Sequence, residues 1–390
     1  MPSTSEPFLR TKDPGVRCRI GRFTVSLHSD SARIAKDFAA LYPDSPLESA
    51  NACTPIRIQV RRVGRSRLGR VLYRVFADGE EIGGWRPRNG VFPLIEWGIN
   101  LRIIAGRPEY LQLHAASLAL RGEGFIFAGD SGCGKSTLAA TLLSRKWHYL
   151  CDEFALVEPD TLTLQPFPKA LCLKSGSFPV IERLGLRIAR DRDYIKGPKG
   201  RVAYLSPNDL GDNAVDPTPR CRFIVFPAYR SGATPRLETL SRTLAVLELF
   251  RCAFNRDVFG DAILPLLTRL VSESACYRLE IGEPVATARL LESLVPIGKP
   301  AGGSGERRAS ATGPLADPRQ SDRLQGRRQL LRLGAKLAYV APAVAALSAH
   351  EALAATSNPS GICSTAKNTG ELCETDTDCC SAQCNLGICQ

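Results

Sequence analysis

No apolar run long enough for a stable membrane span is expected in these 390 residues. The apolar stretch Leu337-Ala338-Tyr339-Val340-Ala341-Pro342-Ala343-Val344-Ala345-Ala346-Leu347 is too short, and Pro342 interrupts it. Acidic residues are in short supply, 39 Asp+Glu against 51 Lys+Arg, for a net charge of +12. That imbalance favours anionic partners: nucleotides, acidic peptides, nucleic acid or a membrane surface. Part of it is local, in Arg61-Arg62-Val63-Gly64-Arg65-Ser66-Arg67-Leu68-Gly69-Arg70 and in the arginines between 307 and 332. The first run reads as a solvated basic stretch, and no specific nucleic-acid partner is expected. The eight cysteines of the first 276 residues lack a pairing pattern, as fits a reducing cytosol, whereas six crowd into the last 28. No histidine lies among those six and paired C-x2-C knuckles are missing, which argues against a zinc module and for disulfides in an oxidising space. What remains is ordinary: 44% hydrophobic and 23% charged residues, in a chain long enough for two or three units.

The pattern along the chain divides it. A polar, loose N-terminus covers 1–15. Residues 16–108 carry short alternating apolar runs such as Phe23-Thr24-Val25-Ser26-Leu27 and Ile56-Arg57-Ile58-Gln59-Val60, with a short helix at Ser31 to Leu41. A hairpin turn is expected at Asp78-Gly79, and a helix over Pro93 to Ile104 with Leu94, Trp97 and Leu101 on one face. This predicts a small mixed, β-rich domain. Residues 109–297 read as α/β. Buried strands are expected over Tyr110–Leu120 and Gly124–Ala128, then a helix over Ser136–Arg145, and strands over Trp147–Leu150 and Arg222–Tyr229. Helices over Ser241–Ala253 and Asp261–Ser272, a strand over Tyr277–Ile281 and a helix over Pro284–Leu294 close the domain. Residues 298–326, rich in Gly, Ser, Pro, Ala and Arg, form a linker. In 327–355 the twin arginine Arg327-Arg328, the apolar stretch and Ala352-Leu353-Ala354 have the layout of an export signal at an internal position; an Ala-rich linker helix is the competing reading.

Chemistry concentrates at Gly129-Asp130-Ser131-Gly132-Cys133-Gly134-Lys135-Ser136. This phosphate-loop pattern follows the apolar strand Phe125-Ile126-Phe127-Ala128 and opens a helix, the context its mechanism requires. Glycines let backbone N–H groups turn inward around phosphate oxygens, and the helix N-terminus adds a favourable dipole. Lys135 neutralises phosphate charge, Ser136 ligates Mg²⁺, and Thr137 completes the motif. Cys133 reads as a small side chain at a variable loop position, with a redox switch as the alternative. Asp152-Glu153 ends the next strand, seventeen residues after Lys135. One of these carboxylates can hold metal, here given to Glu153 beside Ser136, and one can accept a proton from an attacking hydroxyl, here given to Asp152.

These residues resemble the HPr serine kinase/phosphorylase family, and more closely its HPr-related kinases. The likeness runs through Leu113-His114-Ala115-Ala116, Gly129 to Thr137, Trp147-His148-Tyr149-Leu150-Cys151-Asp152-Glu153 and Pro168-Lys169-Ala170-Leu171-Cys172-Leu173-Lys174. It continues in Lys196-Gly197 and Phe226-Pro227, and upstream in Glu96-Trp97-Gly98-Ile99-Asn100. It implies a P-loop kinase fold akin to phosphoenolpyruvate carboxykinase, Mg²⁺–ATP as donor, a protein or peptide hydroxyl as acceptor, and homo-oligomers, hexamers being known in the family. Matching positions put Asp152 on the catalytic aspartate and His114 on the histidine before the P-loop strand, which makes His114 a second-tier catalytic candidate, and make Lys174 and Lys196 phosphate or transition-state contacts. Glu153 departs from the aspartate usual in the bifunctional enzymes, and their carboxy-terminal signature is not found.

The tail, 356–390, holds Cys363, Cys373, Cys379, Cys380, Cys384 and Cys389, and looks like a cystine-knot miniprotein framework with many pairings open. The order kinase, linker, export-like segment and Cys-rich core predicts a cytoplasmic serine/threonine-type kinase whose acceptor is a peptide precursor such as its own tail, itself destined for export. Two other readings stand beside it. One is a nucleotide-binding ATPase or switch without phosphotransfer; the other is a maturation enzyme fused to a secreted Cys-rich peptide.

Overall fold

Alternation of apolar and charged residues builds the first sheet. In β1 (Val16–Ile20) and β2 (Phe23–Ser29), Cys18, Ile20, Phe23, Val25 and Leu27 are buried while Arg17 and Arg19 are exposed. After β2, α1 (Ala32–Leu41) leads to β3 (Ile56–Arg65), which pairs with β2 in parallel. The antiparallel β4 (Val71–Ala77) then turns through Asp78-Gly79, with φ of 48° and 90°, into β5 (Glu80–Glu81), as the turn signal predicts. The Asp78 carboxylate accepts the Arg57 N–H at 2.8 Å and ties the turn to β3. A short β6 (Arg86–Pro87) also pairs with β4. The computed structural model describes residues 15–42, 55–186, 188, 194–206 and 218–296, together with 384–385 and 388–389.

The helix α2 (Arg88–Gly106) starts five residues before the expected Pro93 and turns a different face inward. Val91, Phe92, Ile95, Ile99 and Ile103 are buried against the sheet, whereas Trp97, expected on the apolar face, is 47% exposed. The helix is apolar nearly all round, so periodicity alone does not single out a stripe. Gly98 sets the approach: a Cβ there would stand 3.2 Å from the Ala77 Cβ, so any larger residue would push α2 off the sheet.

The expected strand Tyr110–Leu120 is two strands. β7 (Leu111–Leu113) and β8 (Ala115–Leu120) belong to different sheets, and His114 sits at the break, its N–H bonded to the Cys252 carbonyl at 2.6 Å. From there the chain runs through β9 (Glu123–Ala128), α3 (Lys135–Leu143), β10 (His148–Cys151), β11 (Ala155–Val157) and β12 (Leu164–Gln165). It continues with β13 (Leu171–Lys174), α4 (Phe178–Arg183), β14 (Tyr194–Ile195), β15 (Arg201–Leu205), β16 (Arg220–Tyr229) and β17 (Arg236–Thr239). Helices α5 (Arg242–Cys252), α6 (Arg256–Phe259) and α7 (Ile263–Ser272), strand β18 (Ala275–Ile281) and α8 (Pro284–Glu292) complete it.

The protein is thus mixed α/β with several sheets. Its main sheet has the order β10-β8-β9-β16-β18-β17, with β9, β16 and β18 parallel. Period-two alternation along β9 feeds two cores. Phe125 and Phe127 pack with Leu138, Leu142, Trp147 and Leu291 on the side of α3 and α8. Ile126 and Ala128 pack with Leu249, Leu267 and Leu270 on the side of α5 and α7. A third core joins the first sheet and α2 to Cys151, Phe154, Phe167, Tyr194 and Tyr204. Two small sheets, β12-β11-β7 and β13-β15-β14, connect these layers.

Trp147 anchors the strand that carries the acidic pair. It is fully buried, edge-on to Phe125 with centroids 4.7 Å apart. Trp147→Ala is expected to cost about 3–5 kcal/mol of unfolding free energy, read from urea denaturation at neutral pH.

The chain divides between Gly298 and Lys299 into two units. In the second, β19 (Cys384–Asn385) pairs antiparallel with β20 (Ile388–Cys389), Cys384 opposite Cys389. The expected linker, export-like segment and the rest of the Cys-rich tail lie outside the described residues. Among the described residues Cys133, Cys151, Cys172, Cys221, Cys252 and Cys276 are free thiols. No helix among them is long and apolar enough to cross a membrane.

Candidate nucleotide site

At the end of β9 the chain turns back on itself into α3, and glycine makes that turn possible. Gly132 and Gly134 have φ of 96° and 101°, a region that residues with a Cβ rarely adopt. At Gly134 a Cβ would also lie 3.0 Å from the Ile281 Cδ1 and 3.3 Å from the Tyr229 Cβ, so the ends of β18 and β16 press on the loop from behind. The loop therefore wraps the first turn of α3, whose free N–H groups face an incoming anion.

Lys135 is only 8% exposed. Its Nζ donates to the Gly129 and Asp130 carbonyls at 2.5 and 3.0 Å and lies 3.8 Å from the Cys133 Sγ. The ammonium thus rests on the loop it serves. Cys133 packs inside the same turn, its Sγ 3.2 Å from where a Gly129 Cβ would stand. Thr137 Oγ1 shares a hydrogen bond of 2.6 Å with Ser177 Oγ, tying α3 to the segment after β13.

Ser136 Oγ donates to Asp152 Oδ2 at 2.9 Å. The strands behind this contact are not neighbours: β8 lies between β9 and β10, antiparallel to both. Both strands nevertheless end at the same edge, with Ala128 opposite Ala115 and Cys151 opposite Ser117. Asp152 keeps its second oxygen, Oδ1, buried and without a hydrogen-bond partner. Burial raises the Asp152 carboxyl to about 6, against the lowering hydrogen bond from Ser136, and the Glu153 charge adds to the rise.

Glu153 is in a different situation. Its carboxylate meets Lys196 Nζ at 3.1 Å through Oε1 and Lys169 Nζ at 3.4 Å through Oε2, and Oε2 also accepts from Asn100 Nδ2. Burial pushes this carboxyl up, but Lys169, Lys196 and the hydrogen bonds overcome it and hold the group well below the usual carboxylate range. Both oxygens of Glu153, expected as a metal ligand, are therefore engaged by cations and an amide. The carboxylate oxygen beside Ser136 belongs to Asp152.

The sequence-singled residues His114, Ser131, Gly132, Gly134, Lys135, Ser136 and Thr137 meet Asp152, Glu153, Lys174 and Lys196 in one cleft. His114 packs on Phe254 with centroids 5.7 Å apart. Burial, and then the charge of Lys135, lowers it to about 4, so it is a neutral imidazole at physiological pH. Lys174 Nζ lies 3.5 Å from Ser131 Oγ. With Lys135, Lys174, Lys196 and Lys199 on its walls against Asp152 and Glu153, the cleft carries a surplus of positive charge.

Lys199 was not singled out in the sequence; it follows Lys196-Gly197-Pro198 in a short turn before β15, where nothing but its charge marks it. Lys169, Glu96 and Asn100 stood only in stretches of family likeness. The sequence signal that could have marked Glu96 is that it is the one acidic residue of α2, flanked by apolar side chains.

These residues fit a magnesium nucleotide. Ser136 Oγ and Asp152 Oδ2 stand together as ligand positions, the buried Asp152 Oδ1 has no hydrogen-bond partner, and the lysines suit a polyphosphate. No group of three or more His, Cys, Asp or Glu side chains that could hold a metal occurs among the described residues. A cation here would draw its other ligands from phosphate and water, as Mg²⁺ commonly does.

No protein-family model matches the sequence, and no curated protein matches it. Among solved structures the chain is similar to the Hpr(Ser) kinase/phosphatase from Coxiella burnetii, at 12% identity and a TM-score of 0.24, over 47% of this chain and 95% of that one.

Proposed function

We propose that this chain is an ATP-dependent kinase that transfers a phosphoryl group to a protein or peptide hydroxyl. The observation that carries the reading is the Ser136–Asp152 hydrogen bond of 2.9 Å, at the mouth of a glycine loop lined by lysines. A bound Mg²⁺–ATP supplies the transferable phosphoryl group and a divalent charge to neutralise it. Loop N–H groups and the α3 N-terminus bind the phosphates, and Lys135 exchanges its loop carbonyls for them. Lys174 and Lys199 add charge stabilisation from the opposite wall. Ser136 and Asp152 Oδ2 would hold the cation; the acceptor oxygen would bond to the γ-phosphorus as the bond from that phosphorus to the departing ADP breaks, and the acceptor's proton would pass to Asp152 Oδ1. In the cation-free site burial sets the Asp152 carboxyl near 6, so it is largely ionised at neutral pH. Neutral His114 packs the floor of the cleft without adding charge.

The acceptor we favour is the chain's own Cys-rich tail, because hydroxyls at Ser364, Thr365, Thr369, Thr375, Thr377 and Ser381 intersperse its cysteines. Incubating the full chain with Mg²⁺–ATP and mapping phosphate by mass spectrometry tests this. Phosphate within 356–390 is the expected result. Phosphate on added extract proteins alone would retain the kinase and remove the tail as acceptor; none on any hydroxyl would remove the kinase.

A further inference from the structure

A charged chain runs from the first sheet's core into the site, and the reaction scheme above does not use most of it. Glu96 and Asn100 stand one helical turn apart on α2, 2% and 6% exposed, within a helix that otherwise buries aliphatic and aromatic side chains. Glu96 Oε1 accepts from Tyr42 OH at 2.6 Å, and that hydroxyl accepts the Ala170 N–H at 2.9 Å. The other Glu96 oxygen meets Lys169 Nζ at 2.9 Å, and Lys169 is 3% exposed. Lys169 Nζ also donates to Asn100 Oδ1 and reaches Glu153. Asn100 spends its amide nitrogen on the same Glu153 oxygen. Every polar end of Glu96, Asn100 and Lys169 is thus committed, and the chain terminates on the carboxylate next to Asp152.

Burying such groups is costly, and an apolar triad of similar volume commonly gives equal or greater stability. Stability alone therefore gives no reason to keep these charges. Their geometry does. Glu153 would otherwise be free to swing toward Lys135, Lys174 or Lys199 and compete with phosphate for them. Held from behind by Lys169 and Asn100, it instead keeps Lys196 at 3.1 Å and leaves the remaining cleft lysines open.

We propose that Lys169, backed by Glu96 and Asn100 of α2, is a positioning residue for the phosphoryl-transfer site: it pins Glu153, the neighbour of the proton acceptor Asp152, and through it the cleft lysine Lys196, so that the N-terminal layer sets the geometry of the wall around Asp152. This rests on the kinase reading. Small displacements of reacting groups cost about 100-fold in rate.

The test compares the full-length wild type with Lys169→Met and with the double variant Glu96→Gln/Lys169→Met. Three quantities are read: Mg²⁺–ATP affinity by calorimetry, transfer rate at saturating ATP, and Tm. Lys169→Met strands Glu96 and should lower Tm. The double variant removes both buried charges and should recover most of that loss. The transfer rate should fall about 100-fold in both variants, while nucleotide affinity stays within about threefold. Recovery of rate together with Tm in the double variant would show a purely structural role and overturn the proposal, as would a transfer rate within twofold of wild type in either variant. A wild type that binds nucleotide but transfers no phosphate would instead remove the kinase reading itself, and this proposal with it. Should Lys169→Met fail to fold, the double variant alone decides, since its rate at recovered stability is the discriminating reading.

Discussion

Lys135→Ala is expected to weaken Mg²⁺–ATP binding by about 10–100-fold, the worth of a charge-assisted hydrogen bond to phosphate. Phosphate transfer should fall further, by about 10²–10³-fold beyond binding, because the ammonium meets the most charge when the phosphoryl group is between donor and acceptor. The physical reason lies in where Lys135 rests. Its Nζ sits on the Gly129 and Asp130 carbonyls, so it reaches the phosphate position from inside the loop. Lys174, across the cleft near Ser131, approaches from the other wall and cannot take that place. Arginine should not rescue the variant, because a planar guanidinium is larger than the space beneath a loop where Cys133 already packs against Gly129. Calorimetry for binding and single-turnover phosphate transfer for chemistry separate the two losses. If both quantities are unchanged in Lys135→Ala, the glycine loop is not the nucleotide site.

Much of this site was legible because its parts are local in sequence. The loop from Gly129 to Thr137 lies between a continuous apolar strand and the helix that the glycine motif itself opens, and Asp152-Glu153 stands at the next strand end. The turn at Asp78-Gly79 was legible for the same reason, since two adjacent residues set its φ angles. What failed was decided by tertiary packing. The strand expected over Tyr110–Leu120 looks continuous because no Gly or Pro interrupts it, yet β7 pairs with β11 and β8 with β9. The inward face of α2 depended on which side the first sheet covers, and a helix apolar on most sides does not say. Glu153 shows the same limit at the site. An acidic pair suggests two interchangeable carboxylates, but Lys169 and Lys196, each distant in sequence, make one a salt-bridge anchor and leave the other as the oxygen facing Ser136.

Those two environments make Asp152→Asn the sharpest discriminator between a kinase and a nucleotide-dependent switch. Amide and carboxylate are nearly isosteric, and an amide oxygen still accepts the Ser136 hydrogen bond, so the loop should keep its shape and still bind nucleotide, more weakly with Mg²⁺ because a neutral amide is a poorer ligand for the cation. Transfer to an acceptor hydroxyl should fall by about 10²–10⁴-fold, because an amide cannot take the proton. A switch or ATPase would retain its nucleotide response in this variant and show no phosphorylated acceptor in the wild type. The same substitution should stabilise the protein. The folded Asp152 carboxyl lies near 6, above the ordinary aspartate value of 3.8. Stability from this group is therefore fully present below about pH 4 and is lost as pH rises through 6. Asparagine never ionises and escapes that loss. In magnesium-free buffer, wild type and variant should have similar unfolding free energies near pH 4. The variant's advantage should then grow to the order of 2–3 kcal/mol by pH 7, following the size of the shift. Urea denaturation at both pH values reads the gap directly. A gap that is absent at pH 7, or that widens toward acid, would mean Asp152 is not a buried carboxylate with a raised pKa, and its role as proton acceptor would lose its physical basis.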